Sequence, residues 1–139
     1  MKQFTNEITF QTTGSSLLDV TGPIKSWVAD QGISKGLLTV FIKHTSASLV
    51  IQENADPDVL FDLNSYFRKL VPEGDHLYRH STEGPDDMPA HIKAALTQTQ
   101  LNVPISDHEL MLGLWQGVYI FEHRAHAHKR TIALHLIGE

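Results

Sequence analysis

The chain opens with an alternation. Phe4, Ile8 and Phe10 fall on one face and Thr5, Glu7, Thr9 and Gln11 on the other, a period of two that predicts a half-buried strand. Behind Pro23, the residues Ile24, Trp27 and Val28 recur at helical spacing, and Gly32 marks where that helix stops. Leu37-Leu38-Thr39-Val40-Phe41-Ile42 is almost unbroken apolar sequence and predicts a strand covered on both faces. Leu49-Val50-Ile51 predicts a further buried strand. Asp56 as N-cap and Pro57 at the first helical position open a second helix, with Val59, Leu60, Leu63, Phe67 and Leu70 on its apolar face and Pro72 closing it. Residues 73 to 87 are polar and carry no pattern; unstructured loops of that length inside a compact domain tend to be functional. A third helix is expected from Met88 to Leu96, capped by Asp87 with Pro89 in its first turn. Strands are expected at Val103 to Ile105, Leu110 to Leu114, Trp115 to Glu122 and Thr131 to Ile137, the last two joined by a hairpin loop over His123 to Lys129. Strands, then helices, then strands predict an α+β fold, with one domain over residues 1–139.

Composition narrows the function classes. Eleven Lys and Arg against sixteen Asp and Glu give a net charge of −5, which disfavours a nucleic-acid partner, whose binding rests on neutralising phosphates. The chain has no cysteine, so disulfides, thiolate metal sites and cysteine nucleophiles are excluded. The segment MKQFTNEITF lacks the apolar core of a signal peptide, and no window is apolar enough for a membrane span; a cytoplasmic location is expected. Nine histidines then direct attention to metal or proton chemistry.

Three polar clusters carry that chemistry. His44-Thr45-Ser46-Ala47-Ser48 stands where one buried strand ends and the next begins, as a turn with local hydroxyl bonds or as groups held rigidly against a pocket. Glu53-Asn54-Ala55-Asp56-Pro57-Asp58, with Asp62 a turn later, is helix capping in part, but capping does not account for Glu53. The long loop and following helix hold His76, Tyr78, Arg79, His80, Glu83, Asp86, Asp87 and His91. There His91 shares the apolar face with Met88, Ile92 and Ala95; alone it reads as a core histidine, and with other His and acidic residues converging on it, as a ligand. His123, His126 and His128 read as a solvated loop. Gly113-Leu114-Trp115-Gln116-Gly117 has the wrong spacing for a phosphate loop, so its Trp and Gln are expected to line a pocket or an interface.

The runs HTSASL (44–49), ENADP (53–57), DDMPAHIK (86–93), LGLWQGVY (112–119) and EHR (122–124) resemble the signatures of the YjbQ family, whose members are also named secondary thiamine-phosphate synthases. The resemblance covers nearly the whole chain. It implies a β-sandwich-like mixed sheet with a few helices, assembled as a homotrimer, and a pocket built from His44, Ser46, Glu53, Asn54, Asp62, His80, Asp87, His91, Trp115 and Gln116. Leu114 departs from a frequent Thr of the family, and Ser106-Asp107-His108-Glu109 from a Gly-bearing turn.

Three functions are compatible with these residues. In a thiamine-phosphate synthase, joining a pyrimidine pyrophosphate to a thiazole phosphate, Glu53, Asp62 and Asp87 would hold Mg²⁺ and Arg130 would steer phosphate. In a metal-dependent hydrolase, His44, His80 and His91 would hold a divalent metal, zinc favoured by the nitrogen ligands, with Glu53 as general base; Ser46, Asn54, Asp62 and Asp87 would complete the catalytic set, and Trp115, Gln116 and Arg130 would bind substrate. In the third, a trimer without catalysis binds a small phosphorylated or otherwise anionic metabolite.

Overall fold

The computed structural model describes residues 1–139, residue 75 by its backbone alone. Eight strands and three helices follow the order β1 (Lys2–Gln11), β2 (Ser16–Asp19), α1 (Thr21–Asp30), β3 (Lys35–Ile42), β4 (Ala47–Glu53), α2 (Pro57–Leu70), α3 (Asp87–Leu96), β5 (Gln100–Ser106), β6 (Glu109–Leu110), β7 (Gln116–Glu122) and β8 (Lys129–Gly138), with a short 3₁₀ turn at Asp75–Leu77. A five-stranded sheet of order β1-β8-β3-β5-β6 packs across a three-stranded sheet of order β2-β7-β4. Every strand pair is antiparallel, so the α+β sandwich holds while the mixed sheet implied by the resemblance does not.

Alternation decides which residues are inside. Ile132, Leu134 and Leu136 of β8 and Leu38, Val40 and Ile42 of β3 meet Leu49 of β4 and Val118 and Ile120 of β7, with Ile24 and Val28 of α1 and Val20 just before it closing one end. The opposite face of the large sheet is mixed, with Thr9 paired to Thr131 and Thr39 to Asn102 beside Leu37 and Phe41. This corrects the expectation that β3 is covered on both sides: Leu37 and Phe41 point outward and are exposed, because an antiparallel sheet can leave one face wet.

The helix signals hold at most ends. Gly32 takes φ +67° after α1, a conformation glycine adopts without penalty, and its N–H bonds the Ala29 carbonyl. Asp56 caps α2 through a 2.9 Å bond from the Asp58 N–H. At α3 the cap position belongs to Asp86 rather than Asp87, and Asp86 makes no cap bond because Arg124 and Ala125 take its carboxylate. The strand expected over Leu110–Leu114 shrinks to β6, and β6 joins β5 through Asp107 and His108, both at positive φ, as a two-residue hairpin turn requires. The segment 123–128 is no hairpin: it crosses from β7 in the small sheet to β8 in the large one. Among the described residues, no helix is long and apolar enough to cross a membrane.

Candidate metal centre at the start of α3

The long loop between α2 and α3 delivers four side chains to one point. Asp87 is the first residue of α3 and His91 lies one turn on, the i and i+4 positions of a single helix face. Asp87 Oδ2 is 3.1 Å from His91 Nε2 and 2.6 Å from His80 Nε2, and His80 Nε2 is 3.1 Å from Glu83 Oε2. One ligand atom from each of the four residues lies within 4.8 Å of all the others.

Around this cluster runs a positioning frame. Arg124 reaches Asp86 Oδ2 at 2.9 Å, Asp87 Oδ1 at 2.8 Å and the Glu83 carbonyl at 3.0 Å, so one guanidinium ties the end of the loop to the first residue of α3. It also occupies one oxygen of Asp87 and leaves Oδ2 for the cluster. Asp87 is almost wholly buried; burial alone would raise its pKa, yet the hydrogen bond from His80 and the Arg124 charge hold it below the usual carboxylate value. The hydrogen bond to Asp87 raises the pKa of His80 in turn.

Counting hydrogens at His91 shows what the cluster lacks. Its Nδ1 is 2.9 Å from the Thr45 carbonyl, which can only accept, so Nδ1 carries a proton. Nε2 of a neutral ring is then a lone pair facing the Asp87 carboxylate at 3.1 Å, two acceptors with nothing between them. Either a second proton or a cation resolves that contact. A histidine whose far nitrogen donates to a backbone carbonyl is oriented as metal-ligating histidines are. Two imidazole nitrogens and two carboxylate oxygens suit a four-coordinate zinc-type ion.

The remaining candidates lie elsewhere. His44 stands outside the cluster; its Nε2 accepts the Thr131 N–H at 2.8 Å. Arg130 is buried, with Nη2 2.5 Å from Glu122 Oε2, Nε 2.9 Å from Glu122 Oε1 and Nη2 3.1 Å from Ser46 Oγ. Arg130 thus neutralises a fully buried glutamate that also accepts a 2.6 Å bond from Thr12, and Ser46 accepts from the same guanidinium. Glu53, Asn54, Trp115 and Gln116 gather at the far end of β4: the Asn54 N–H bonds the Trp115 carbonyl, the Asp56 N–H bonds Glu53, and Gln116 Oε1 holds the Gly113 N–H. Six residue steps of β4 part this group from Ala47, about 20 Å at roughly 3.3 Å per residue. Asp62 is exposed on α2. Sequence reasoning placed Glu83 in the polar loop cluster without making it a ligand and gave Arg124 no positioning role; the one available signal for Glu83 as a ligand was its spacing of three from His80 in a loop already marked by its length.

Comparison with known proteins adds a family. The family described as UPF0047 protein YjbQ-like matches residues 6–139. The chain is 51% identical over 138 residues to the UPF0047 protein sll1880 of Synechocystis, covering 99% of this chain and 94% of that one. It is 41% identical over 121 residues to the UPF0047 protein YjbQ of Escherichia coli O157:H7, covering 86% and 87%. An uncharacterised YjbQ/UPF0047-family structure from Clostridium acetobutylicum superposes with a TM-score of 0.86 at 36% identity, over 95% of this chain and 99% of that one. A YbjQ-like protein of unknown function from Sulfolobus solfataricus shares the fold, with a TM-score of 0.90 at 22% identity over 99% of each chain.

Proposed function

The chain belongs to the YjbQ-like UPF0047 family, and we propose that it is a metal-dependent enzyme acting on a small anionic molecule, with one divalent ion held by His80, Glu83, Asp87 and His91. The observation that carries this reading is the convergence of one ligand atom each from His80, Glu83, Asp87 and His91 within 4.8 Å of one another, with the His91 ring oriented by the Thr45 carbonyl. A divalent ion there supplies Lewis-acid polarisation of a substrate oxygen. The chain's own residues do the rest: Thr45 orients His91, Arg124 restricts Asp87 to one oxygen, and Glu83, exposed on the loop, lies where a ligand can enter from solvent. Nitrogen donors favour zinc over Mg²⁺.

We rank metal-assisted hydrolysis ahead of thiamine-phosphate synthesis, because expelling pyrophosphate calls for free cations and both Arg124 and Arg130 are tied to buried carboxylates. The homotrimer is part of the same proposal. Phe61, Tyr66, Leu114 and Trp115 form exposed apolar surface that a second copy would cover, and a second copy could carry Glu53 and Asn54 to the histidine cluster, from which they are remote within one chain.

Elemental analysis of untagged protein tests the reading. About one zinc per chain, lost in His80→Ala and His91→Ala and kept in His44→Ala, is expected. A wild type free of transition metal, or zinc retained by His91→Ala, defeats it.

A further inference from the structure

Beside the cluster, the end of β3 and the segment leading into β4 face the outer side of α3 across a cleft of about 480 Å³. That size lies within the roughly 300–1,000 Å³ of small-molecule sites. One wall is apolar, formed by Phe41, Ile42, Ala47, Ala94 and Ala95. The polar lining residues are Lys43, His44, Thr45, His91 and Thr99, and none of the lining residues is acidic.

The donors of this cleft can be assigned. His44 Nε2 accepts from the Thr131 backbone N–H, which can only donate, so a neutral His44 ring carries its proton on Nδ1. Burial and the nearby Arg130 charge lower the His44 pKa, which keeps the ring in that neutral, donating form. The hydroxyls of Thr45 and Thr99 add two further groups able to donate. The Lys43 ammonium is already paired with Glu7, so it brings little uncompensated charge. One ring N–H and two hydroxyls suit a single delocalised negative charge; a phosphate dianion is normally met by an Arg fork or several N–H groups, which the cleft lacks. His91 joins cleft to cluster: its ring lines the cleft while its Nε2 faces Asp87, so one imidazole separates the two.

We infer that this cleft is the substrate subsite of the metal centre and takes small monocarboxylates with a compact apolar body, the body lying on Ala47, Ala94 and Ala95 and the carboxylate on His44. The inference rests on the metal reading for its catalytic meaning and on the cleft alone for binding. Calorimetric titration of the full chain with benzoate tests it, alongside acetate, benzyl alcohol and phenyl phosphate, on zinc-loaded and chelator-stripped protein. Saturable benzoate binding is expected, with acetate and benzyl alcohol weaker by about tenfold or more and phenyl phosphate no tighter. Ala95→Trp, on the exposed side of α3, fills the cleft and should weaken benzoate at least about tenfold with zinc content unchanged. Glu83→Gln should lose zinc and keep benzoate. Benzoate binding by a wild type that takes up no zinc when zinc is supplied, lost in Ala95→Trp, leaves the subsite standing and removes the metal reading. No benzoate binding, equal binding by Ala95→Trp, tighter phenyl phosphate, or binding that vanishes on stripping, which would put the carboxylate on the metal, each overturns the subsite.

Discussion

Helices α2 and α3 lie against the same small sheet and end up in opposite conditions. α3 has ten residues and buries Asp87, Pro89, Ala90 and Lys93; α2 has fourteen, carries a broader apolar stripe, and buries none. Phe61 remains 70% exposed and Leu114, in the turn near the head of α2, 80%. At the head of α3 the carboxylates of Asp86 and Asp87 are inside because Arg124 meets them there, and the half-buried His91 bonds the Thr45 carbonyl. Burial of the two carboxylates therefore follows satisfied bonds, and apolar patterning alone has not secured burial at α2. An apolar stripe states that a surface wants covering, and the covering can come from outside the chain.

The sharpest break in that contrast comes from removing a partner on the satisfied side. Below α3, Arg130 neutralises the fully buried Glu122. Arg130→Met should cost about 3–5 kcal/mol in chemical denaturation, because it leaves a buried charge uncompensated. Replacing both, Glu122→Leu with Arg130→Met, should recover most of that loss. If Arg130 served substrate alone, the single variant would keep its stability and lose only binding.

A second break uses pH. His123 is buried; its Nε2 lies 2.9 Å from Ser48 Oγ, its Nδ1 has no partner among the described residues, and its ring rests on Phe121. Burial, then the charges of Lys93 and Arg130, push its pKa down to about 3. The unfolded chain protonates the ring near 6.5 and the folded chain does not, so the contribution is whole above pH 6.5 and drains as pH falls toward 3, by up to about 1.4 kcal/mol per pH unit. His44, also lowered, acts with the same sign. Denaturation curves between pH 6.5 and 4 should show a shallower acid slope for His123→Phe than for wild type; equal slopes would mean the ring takes up its proton while folded.

These contacts explain what a reader of the sequence could and could not find. Helix ends were legible because Asp56, Pro57 and Gly32 act on their own neighbours, and β1 and β8 because alternation is local. β2 escaped notice: Ser-Leu-Leu-Asp is four residues with no alternation. The long loop and His91 drew attention through length and helical position. Arg124 could not be placed, since it binds Asp86 across 38 residues and nothing near either announces the other. His44 and Arg130 share composition with site residues, and the partners that claim them, Thr131 and Glu122, become neighbours only in the folded sandwich.

Arg124 gives the third and milder break. Arg124→Gln leaves the four candidate ligands in place and removes the frame that aims Asp87. Orienting residues of this kind are worth about 10–100-fold in metal affinity, so chelator competition should show a loss in that range with zinc still bound at saturation. Arg124→Lys should not restore it, because a single ammonium cannot hold Asp86, Asp87 and the Glu83 carbonyl in one plane. Unchanged affinity would mean that Asp87 is placed by the helix alone.

The smallest effect tests the other half of the contrast. Phe61 is exposed on α2, so within one chain Phe61→Ser should change stability by no more than about 0.5 kcal/mol. If a second copy covers that face, wild-type melting temperature rises with protein concentration, since anything bound to the folded state alone stabilises it by mass action. The variant should lose that dependence and sediment as a smaller species while melting, at high dilution, where the wild type does. A drop in stability that is the same at every concentration would instead place Phe61 among the chain's own contacts, and the difference between α2 and α3 would then lie in how tightly each is packed, with no surface left waiting for a partner.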